Sequence, residues 1–587
     1  MQFNSNFNKT PHIDVKDPKD ACASGWKAIA RQLKSFLGQS SGPRRLIVVE
    51  TYQGVHYESL SKEIQKLMEA DLFIDTSTML FDESRIREII QPDLTDDRVF
   101  GYMSRLRMEN LIDHGKMKIF RKSIEESAST VLVYGYGASI LCPDPDLFIY
   151  ADMARWEIQM RMRAGEVDNI GVQNRSEGIE KQYKHGYFVD WRICDRLKKA
   201  SFPAWNFVLD TTKGDEPKML SAESFREGLR QAVNRPFSVV PFFDPGPWGG
   251  QWMKDTFSLD REPDNYAWCF NCVPEENSLL LKYGDCLFET PSINLVFFRS
   301  RELLGDPVHA RFGDEFPIRF DYLDTMEGGN LSLQVHPLTE YIQDTFGMNY
   351  TQDESYYMLD AGEDASVYLG LKKGIDPSAM ADELRQAEAS GQTFDVLKHV
   401  ENWPAKKHDH FLIPGGTVHC SGKNGMVLEI SATPYIFTFK LYDWGRVNLD
   451  GKPRPINIEH GLKNIQWERS TEWTKKNLIN RIEKTGEGEG WTEEKTGLHE
   501  REFIETRRHW FSKSVEHHTG GGVNVFTLVE GDEIVVESPD ASFDPFIIRY
   551  AETFIVPAAV EKYTIRPHGP SEGKKCATIK AFVRVNP

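Results

Sequence analysis

Leu331-Ser-Leu-Gln-Val-His336 alternates apolar and polar residues with a period of two, which is the pattern of a half-buried strand. In a strand, residues two apart share a face, so Gln334 and His336 point the same way. A polar pair on the inward face of a β-structure is costly unless something uses it. Two further segments supply matching chemistry. Thr351-Gln-Asp-Glu-Ser-Tyr-Tyr-Met-Leu359 carries Glu354 at the start of a strand, and the turn Pro414-Gly-Gly-Thr-Val-His419 delivers His419 to the next one. Two imidazoles, a carboxylate and an amide oxygen form a borderline-hard donor set. Zn²⁺ suits it best, with Fe²⁺, Mn²⁺ and Co²⁺ as alternatives. A lone histidine in a strand, such as His408 or His410, is more simply read as a core or surface group.

The surrounding texture agrees with an all-β region. From about Pro241 onward Pro, Gly and aromatics become frequent, and short strands are expected at 278–282, 294–298, 330–335, 411–414 and 426–430. A helical insertion is expected at 372–402. The segment 461–497, with the low-complexity run Thr485-Gly-Glu-Gly-Glu-Gly490, reads as connector, and strands resume between Glu502 and Pro587. Phe411-Leu-Ile-Pro414 has an echo in Phe554-Ile-Val-Pro557, but the second copy is not followed by a histidine. Two related barrels follow from this, of which only the first holds a metal.

The first third has a different pattern. Strands at 46–49, 72–75, 131–135 and 146–152 alternate with helices at 60–70 and 153–165, which argues for a parallel α/β sheet. The expected organisation is therefore multidomain: an α/β domain over 1–235, a metal-binding barrel over 236–465, and a connector plus second, metal-free barrel over 466–587.

Composition bounds the partners. With 88 Asp and Glu against 70 Lys and Arg, the net charge is −18, which disfavours nucleic acid. Apolar runs stay well short of the roughly 20 residues that span a bilayer, and residues 1–17 lack an apolar signal core, so a soluble cytoplasmic protein without a membrane partner is expected. The eight cysteines are scattered, as in a reducing compartment. Cys269 and Cys272 have metal-site spacing, but the flanking Tyr266–Val273 reads as a strand and no second pair follows. A homo-oligomer is left open.

Together Leu331–Pro337, Asp353–Asp360, Val367–Leu371, Phe411–His419, Val427–Ser431, Lys440–Arg446, 451–455 and Ile458–Leu462, preceded by Pro247-Trp-Gly-Gly250, resemble type I mannose-6-phosphate isomerases, which are zinc-dependent enzymes of the cupin fold. The likeness is close over about 240–465 and loose over about 500–587. It implies a bicupin region, metal ligation by Gln334, His336, Glu354 and His419, and interconversion of an aldose and a ketose phosphate through an enediol. It also implies catalytic roles for Glu429, Arg446 and Lys440, the last at a position where the family usually has Arg. Two family lysines that help hold the phosphate are replaced, by Gln352 and by Asp321. Arg319, two residues from Asp321, is the candidate that compensates. The substrate expected is thus a sugar phosphate, with a different or unphosphorylated sugar, or a non-catalytic sugar-binding role, as alternatives.

Residues 40–235 resemble a P-loop nucleoside kinase, with Leu46–Gly54 where strand and phosphate loop would lie. A working loop needs GxxxxGK[ST]. Here Gly54 is followed by Val-His-Tyr-Glu-Ser, without lysine, so a degenerate kinase-like domain is expected.

Overall fold

The computed structural model describes residues 6–18, 22–38, 44–433, 435, 437–446, 454, 456–497, 499 and 502–585. Most of the Gly451–Pro455 motif lies outside these residues. The chain divides into two compact units. One comprises 12–231 together with 278–298, and the other 1–11, 232–277 and 299–587.

The first unit is built on a seven-stranded sheet. Five successive strands run Phe207–Asp210, Leu147–Asp152, Leu46–Thr51, Val131–Gly135 and Leu72–Asp75, all parallel, the last forming one edge. Lys218–Ser221 and Ala23–Ser24 add an antiparallel edge. Leu46–Thr51, Val131–Gly135 and Leu147–Asp152 are almost wholly buried, as expected for parallel strands covered on both faces. The expected α/β alternation is thus present, with helices Tyr57–Met68 and Arg155–Arg163 among the crossovers.

Two expectations fail in the segment 278–298. Its sequence pattern suggests barrel strands, yet it belongs to this α/β unit. Ser278–Tyr283 and Cys286–Pro291 form a hairpin that pairs with Ile13–Asp14. Ile293–Phe298 is helical, not a strand; its apolar run packs a helix, an ambiguity that period alone cannot resolve for short runs. Trp156 Nε1 donates to Ser278 Oγ at 3.0 Å and to Glu289 at 2.9 Å, which fastens the hairpin. Nor are all eight cysteines free, since Cys22 and Cys286 form a disulfide within this unit.

The second unit contains two pairs of antiparallel sheets rather than closed barrels. In the first pair, six strands run His410–Ile413, Asp353–Ala361, Gly425–Ala432, Arg319–Asp324, Trp268–Cys272 and Phe242–Asp244. The facing five run Val400–Pro404, Ser366–Leu371, His419–Ser421, Leu333–Val335 and Phe439–Tyr442. The second pair, within 483–583, repeats this order. Thr553–Val556, Asn524–Glu530, Cys576–Val583 and Ile504–Phe511 follow one another as their four counterparts do. Phe411 and Phe554 accordingly sit in equivalent edge strands. The segment read as connector is in part structured. Thr471–Asn477 is helical, and Glu483–Gly488 with Trp491–Gly497 extends the second large sheet. The helices Pro377–Ser390 and Val396–His399 form the expected insertion. Cys269 and Cys272 lie fully buried in the strand Trp268–Cys272, and burial pushes both thiols up, which suits core packing and not a reactive pair. Among the described residues no helix is long and apolar enough to cross a membrane.

His410 is also core, packed edge-on to Tyr357 with ring centres 5.6 Å apart. Burial, helped by Arg508, pushes its pKa from 6.5 to about 3. The folded form therefore stays neutral while the unfolded chain takes up a proton below about 6.5. Its stabilising contribution is present above that pH and lost as pH falls toward 3. At pH 4 the loss is on the order of 3 kcal/mol. Denaturant titrations of wild type and His410→Phe between pH 7 and 4 should show the wild type losing stability more steeply. Parallel curves would refute the assignment.

Candidate metal centre

The cross-strand registers show how four separate segments converge. In an antiparallel pair, directly opposed residues share a face. Gln334 is opposed to His419 on one side and to Lys440 on the other, so one sheet presents all three together. In the facing sheet, Ser431 links Arg319 to Glu354, and Glu429 links Asp321 to Tyr356. Those two rows are two residues apart and so face the same way.

The result is a buried cluster. His336, Glu354 and His419 have no exposed surface, and Gln334 is 7% exposed. His336 Nε2 lies 3.1 Å from Glu354 Oε2, and His419 Nε2 lies 2.9 Å from Glu354 Oε1. The Gln334 amide reaches His419 Nε2 at 3.2 Å, and either end of an amide can be turned to such a position. Each imidazole is oriented from behind. His336 Nδ1 donates to the Phe437 carbonyl and His419 Nδ1 to the Thr417 carbonyl, both at 2.9 Å. Those bonds leave the two Nε2 lone pairs facing the carboxylate, the arrangement in which histidines ligate metals. Among the described residues, His336 Nε2 and Glu354 Oε1 lack a hydrogen-bond partner despite full burial. Unprotonated imidazoles facing a carboxylate repel it unless a positive charge, a metal ion or a proton, sits among them. Among the described residues this is the one group of three or more His, Cys, Asp or Glu side chains whose ligand atoms all lie within 4.8 Å of one another. The residues therefore fit a divalent ion of the Zn²⁺ class, with Gln334 completing four donors.

Charge balance inside the cluster is visible in the acidities. Burial alone pushes the Glu354 carboxyl up, but the His336 and His419 imidazoles outweigh it and hold it well below the usual range. Burial pushes His336 down, and the Glu354 carboxylate and the Phe437 carbonyl reverse this to a net rise. For His419 burial prevails and its pKa falls.

Several supports were not legible in the sequence. Gln352 donates to Glu354 Oε2 at 3.0 Å and accepts from the Phe437 amide at 3.1 Å, so it braces both the carboxylate and the loop behind His336. The turn bearing His419 needs Gly416, whose φ is +83° and whose missing side chain would meet Asn464 O at 2.8 Å. Gly415 N donates to Asp353 at 2.7 Å. Arg469 donates to the Pro414 and Gly415 carbonyls and to Thr417 Oγ1 at 2.6–3.0 Å. Arg469 lies in the segment read as connector, where nothing in the local pattern marks it.

The other expected residues fall in three places. Glu429 is buried beside Glu354; burial first, then the Asp321 and Glu354 charges, push its carboxyl well above the usual range. Asp321 is pushed up to about 7 by burial, opposed by Arg319 at 3.5 Å. Tyr356 Oη, Ser431 Oγ and Asp321 Oδ1, all buried on this face, lack hydrogen-bond partners. Lys440 is half-buried on the face of Gln334. Arg446 is committed elsewhere, donating to Asn330 O at 2.6 Å and to Asp443 O at 3.1 Å.

Removing a ligand from such a site should abolish binding, whereas removing a brace should weaken it. Elemental analysis of His336→Ala and His419→Ala should find loss of stoichiometric metal, and Gln352→Leu should lower metal affinity by roughly 10- to 100-fold. Retention of metal by both histidine variants would overturn the ligand set.

Comparison with known proteins divides along the chain. Residues 25–234 match a family described as "Domain of unknown function (DUF8485)". A protein of Bacillus subtilis (strain 168) described as "Probable mannose-6-phosphate isomerase GmuF" is 27% identical over 235 residues, 40% of this chain and 69% of that one. "Mannose-6-phosphate isomerase" of Streptococcus mutans serotype c is 28% identical over 217 residues, 37% of this chain and 63% of that one. The crystal structure of the Bacillus subtilis mannose 6-phosphate isomerase superposes with a TM-score of 0.47 at 20% identity, covering 59% of this chain and 99% of that one.

Proposed function

We propose that the chain is a metal-dependent aldose–ketose isomerase of sugar phosphates, most simply interconverting mannose 6-phosphate and fructose 6-phosphate through an enediol. The observation that carries this reading is the buried His336–Glu354–His419 cluster with the Glu429 carboxyl beside it on the neighbouring strand. The relatives described as mannose-6-phosphate isomerases support it.

Aldose–ketose interconversion moves a proton between adjacent carbons and places transient negative charge on the neighbouring oxygens. A Zn²⁺-class ion, when bound, supplies a Lewis acid that polarises a carbonyl oxygen. The protein supplies the rest. Glu429 is the group that takes the proton from one carbon and returns it to the next. Its burial away from bulk water keeps that proton from exchanging freely. Lys440, on the face of Gln334, offers an ammonium group to the developing oxyanion. Arg319 is assigned the substrate contact, and at 3.5 Å from Asp321 it offsets that charge. Arg446 acts through the backbone and is assigned a positioning role. It holds the Asn330 carbonyl, while its neighbour Asp443 accepts from Ser332 Oγ at 2.6 Å, two residues before Gln334.

A second reading, an isomerase or epimerase of an unphosphorylated sugar, is favoured by one observation. Asp321, Glu354 and Glu429 bring three carboxyl groups to one face of adjacent strands. Gln352, where a lysine would face the phosphate, spends its amide on Glu354 and Phe437. Buried hydroxyl and carboxyl groups without partners suit a substrate rich in hydroxyls.

The deciding measurement follows zinc-loaded protein by NMR with mannose 6-phosphate, free mannose and other hexose phosphates. Turnover of an aldose is expected, and Glu429→Gln should lower kcat by about 10²-fold or more while keeping its metal. Failure to turn over any aldose with metal bound would overturn the isomerase reading. Turnover of free mannose alone would select the second.

A further inference from the structure

The α/β unit contains a cleft of its own, with a volume of about 490 Å³, within the range of small-molecule sites. It is lined by Val55 to Ser59, by Ser77 and Tyr136, and by residues 166–169 with Arg175. These segments follow the carboxyl ends of the strands Leu46–Thr51, Leu72–Asp75 and Val131–Gly135. The chain leaves Leu46–Thr51 toward one side of the sheet and later returns on the other, at Leu147–Asp152. Open α/β sheets bind ligands at such a reversal of strand order.

The walls are preorganised. Tyr57 Oη donates to Asp75 at 2.6 Å, and its ring stacks on Tyr136 with centres 5.2 Å apart. It packs so closely over Gly135, which has φ +119°, that a side chain there would collide with the Tyr57 hydroxyl. Tyr136 is 8% exposed and lines the cleft, yet among the described residues its hydroxyl has no hydrogen-bond partner. The helix Tyr57–Met68 begins at the cleft, and no side chain caps its first amides. His56 lies 3.0 Å from Glu166 across the opening.

The same region is unsuited to phosphate. The loop Tyr52–His56 carries no lysine, and its Gly54 carbonyl is pinned by buried Arg161 at 3.0 Å. The amides of Gly137 and Ser139, which would otherwise suit an anion, are taken by Glu50 at 2.7 and 2.9 Å. Glu58, Glu166 and Asp168 make the lining acidic, and the cationic Arg175 is already paired with Asp168 at 2.9 Å.

We propose that this cleft binds an uncharged, hydroxyl-bearing ring of monosaccharide or nucleoside size. The ring lies against the Tyr57–Tyr136 pair and makes hydrogen bonds to the Tyr136 hydroxyl, the first amides of the Tyr57–Met68 helix and the Glu166 carboxylate. Carboxylates accept from ligand hydroxyls, and the amides donate to them. A phosphorylated counterpart is excluded by the same carboxylates.

The test is calorimetric titration of the intact chain with D-mannose, D-fructose, adenosine and thymidine, and with ATP as the phosphorylated contrast. At least one neutral ligand should bind once per chain with a Kd below about 1 mM. Tyr136→Phe and Glu166→Gln should each weaken it roughly five- to tenfold. Glu166 lies at the solvent edge, so Glu166→Gln reads out the site even if Tyr136→Phe does not fold. Binding by the sugars or by the nucleosides identifies the source of the ring. The proposal is overturned if none of the four neutral ligands binds saturably, if neither variant changes affinity, or if ATP binds more tightly than adenosine.

Discussion

Two imidazole lone pairs and a carboxylate meet at zero exposure between the facing sheets of the first β-pair. Each histidine is turned toward the others by a backbone carbonyl behind it, Phe437 for His336 and Thr417 for His419. Such a cluster is self-repelling in a low-dielectric interior and is reconciled by a cation. The arrangement depends on four strand segments holding their register. A one-residue slip in any of them would turn its donor out of the cluster.

Much of the surrounding structure can be understood as maintaining that convergence. Asp353 and Arg469 hold the backbone of the turn that delivers His419, and Gly416 supplies the left-handed conformation the turn requires. Gln352 ties the carboxylate to the segment behind His336. Arg446 and Asp443 secure the approach to Gln334. Glu429, Asp321, Arg319 and Tyr356 are set by the same registers that place Glu354. The candidate metal cluster and the buried carboxyl beside it are therefore one construction, and burial first, then the Asp321 and Glu354 charges, hold the Glu429 carboxyl above the usual range.

The second β-pair shows what the strand order alone does not provide. It repeats the first pair's arrangement, and its interior also holds buried histidines, His509 and His517, with ring centres 4.7 Å apart. Burial first, then the Lys580 charge, lowers both; His509 is paired with Glu493, and among the described residues no group of three His, Cys, Asp or Glu donors converges there. The interior is instead filled by an apolar cluster that includes Phe526, Phe554 and Tyr563. One topology thus accommodates a donor cluster in one copy and a packed core in the other.

The sequence by itself picked out the side chains that the structure gathers into one cluster, and the two textures of the chain. Period-two alternation puts Gln334 and His336 on one face, and the Pro-Gly-Gly turn announces His419; both are local signals that survive without tertiary information. The same holds for the parallel strands Leu46–Thr51 and Val131–Gly135, whose continuous apolar runs mark burial on both faces. Only the tertiary structure decided where the segment 278–298 goes and that Ile293–Phe298 at its end is a helix, because short apolar runs suit either conformation until a partner is chosen. It alone assigned Arg469 and Gln352 their supporting roles and drew Arg446 toward the backbone, since the bonds from Arg469 to the 414–417 turn, from Phe437 to Gln352 and from Arg446 to Asn330 join residues far apart in the chain. It alone showed that Asp321, a lone acid in the sequence, shares a face with Glu429 and Glu354. Electrostatic neighbourhood is a property of register between strands, and the chain does not spell that out along its length.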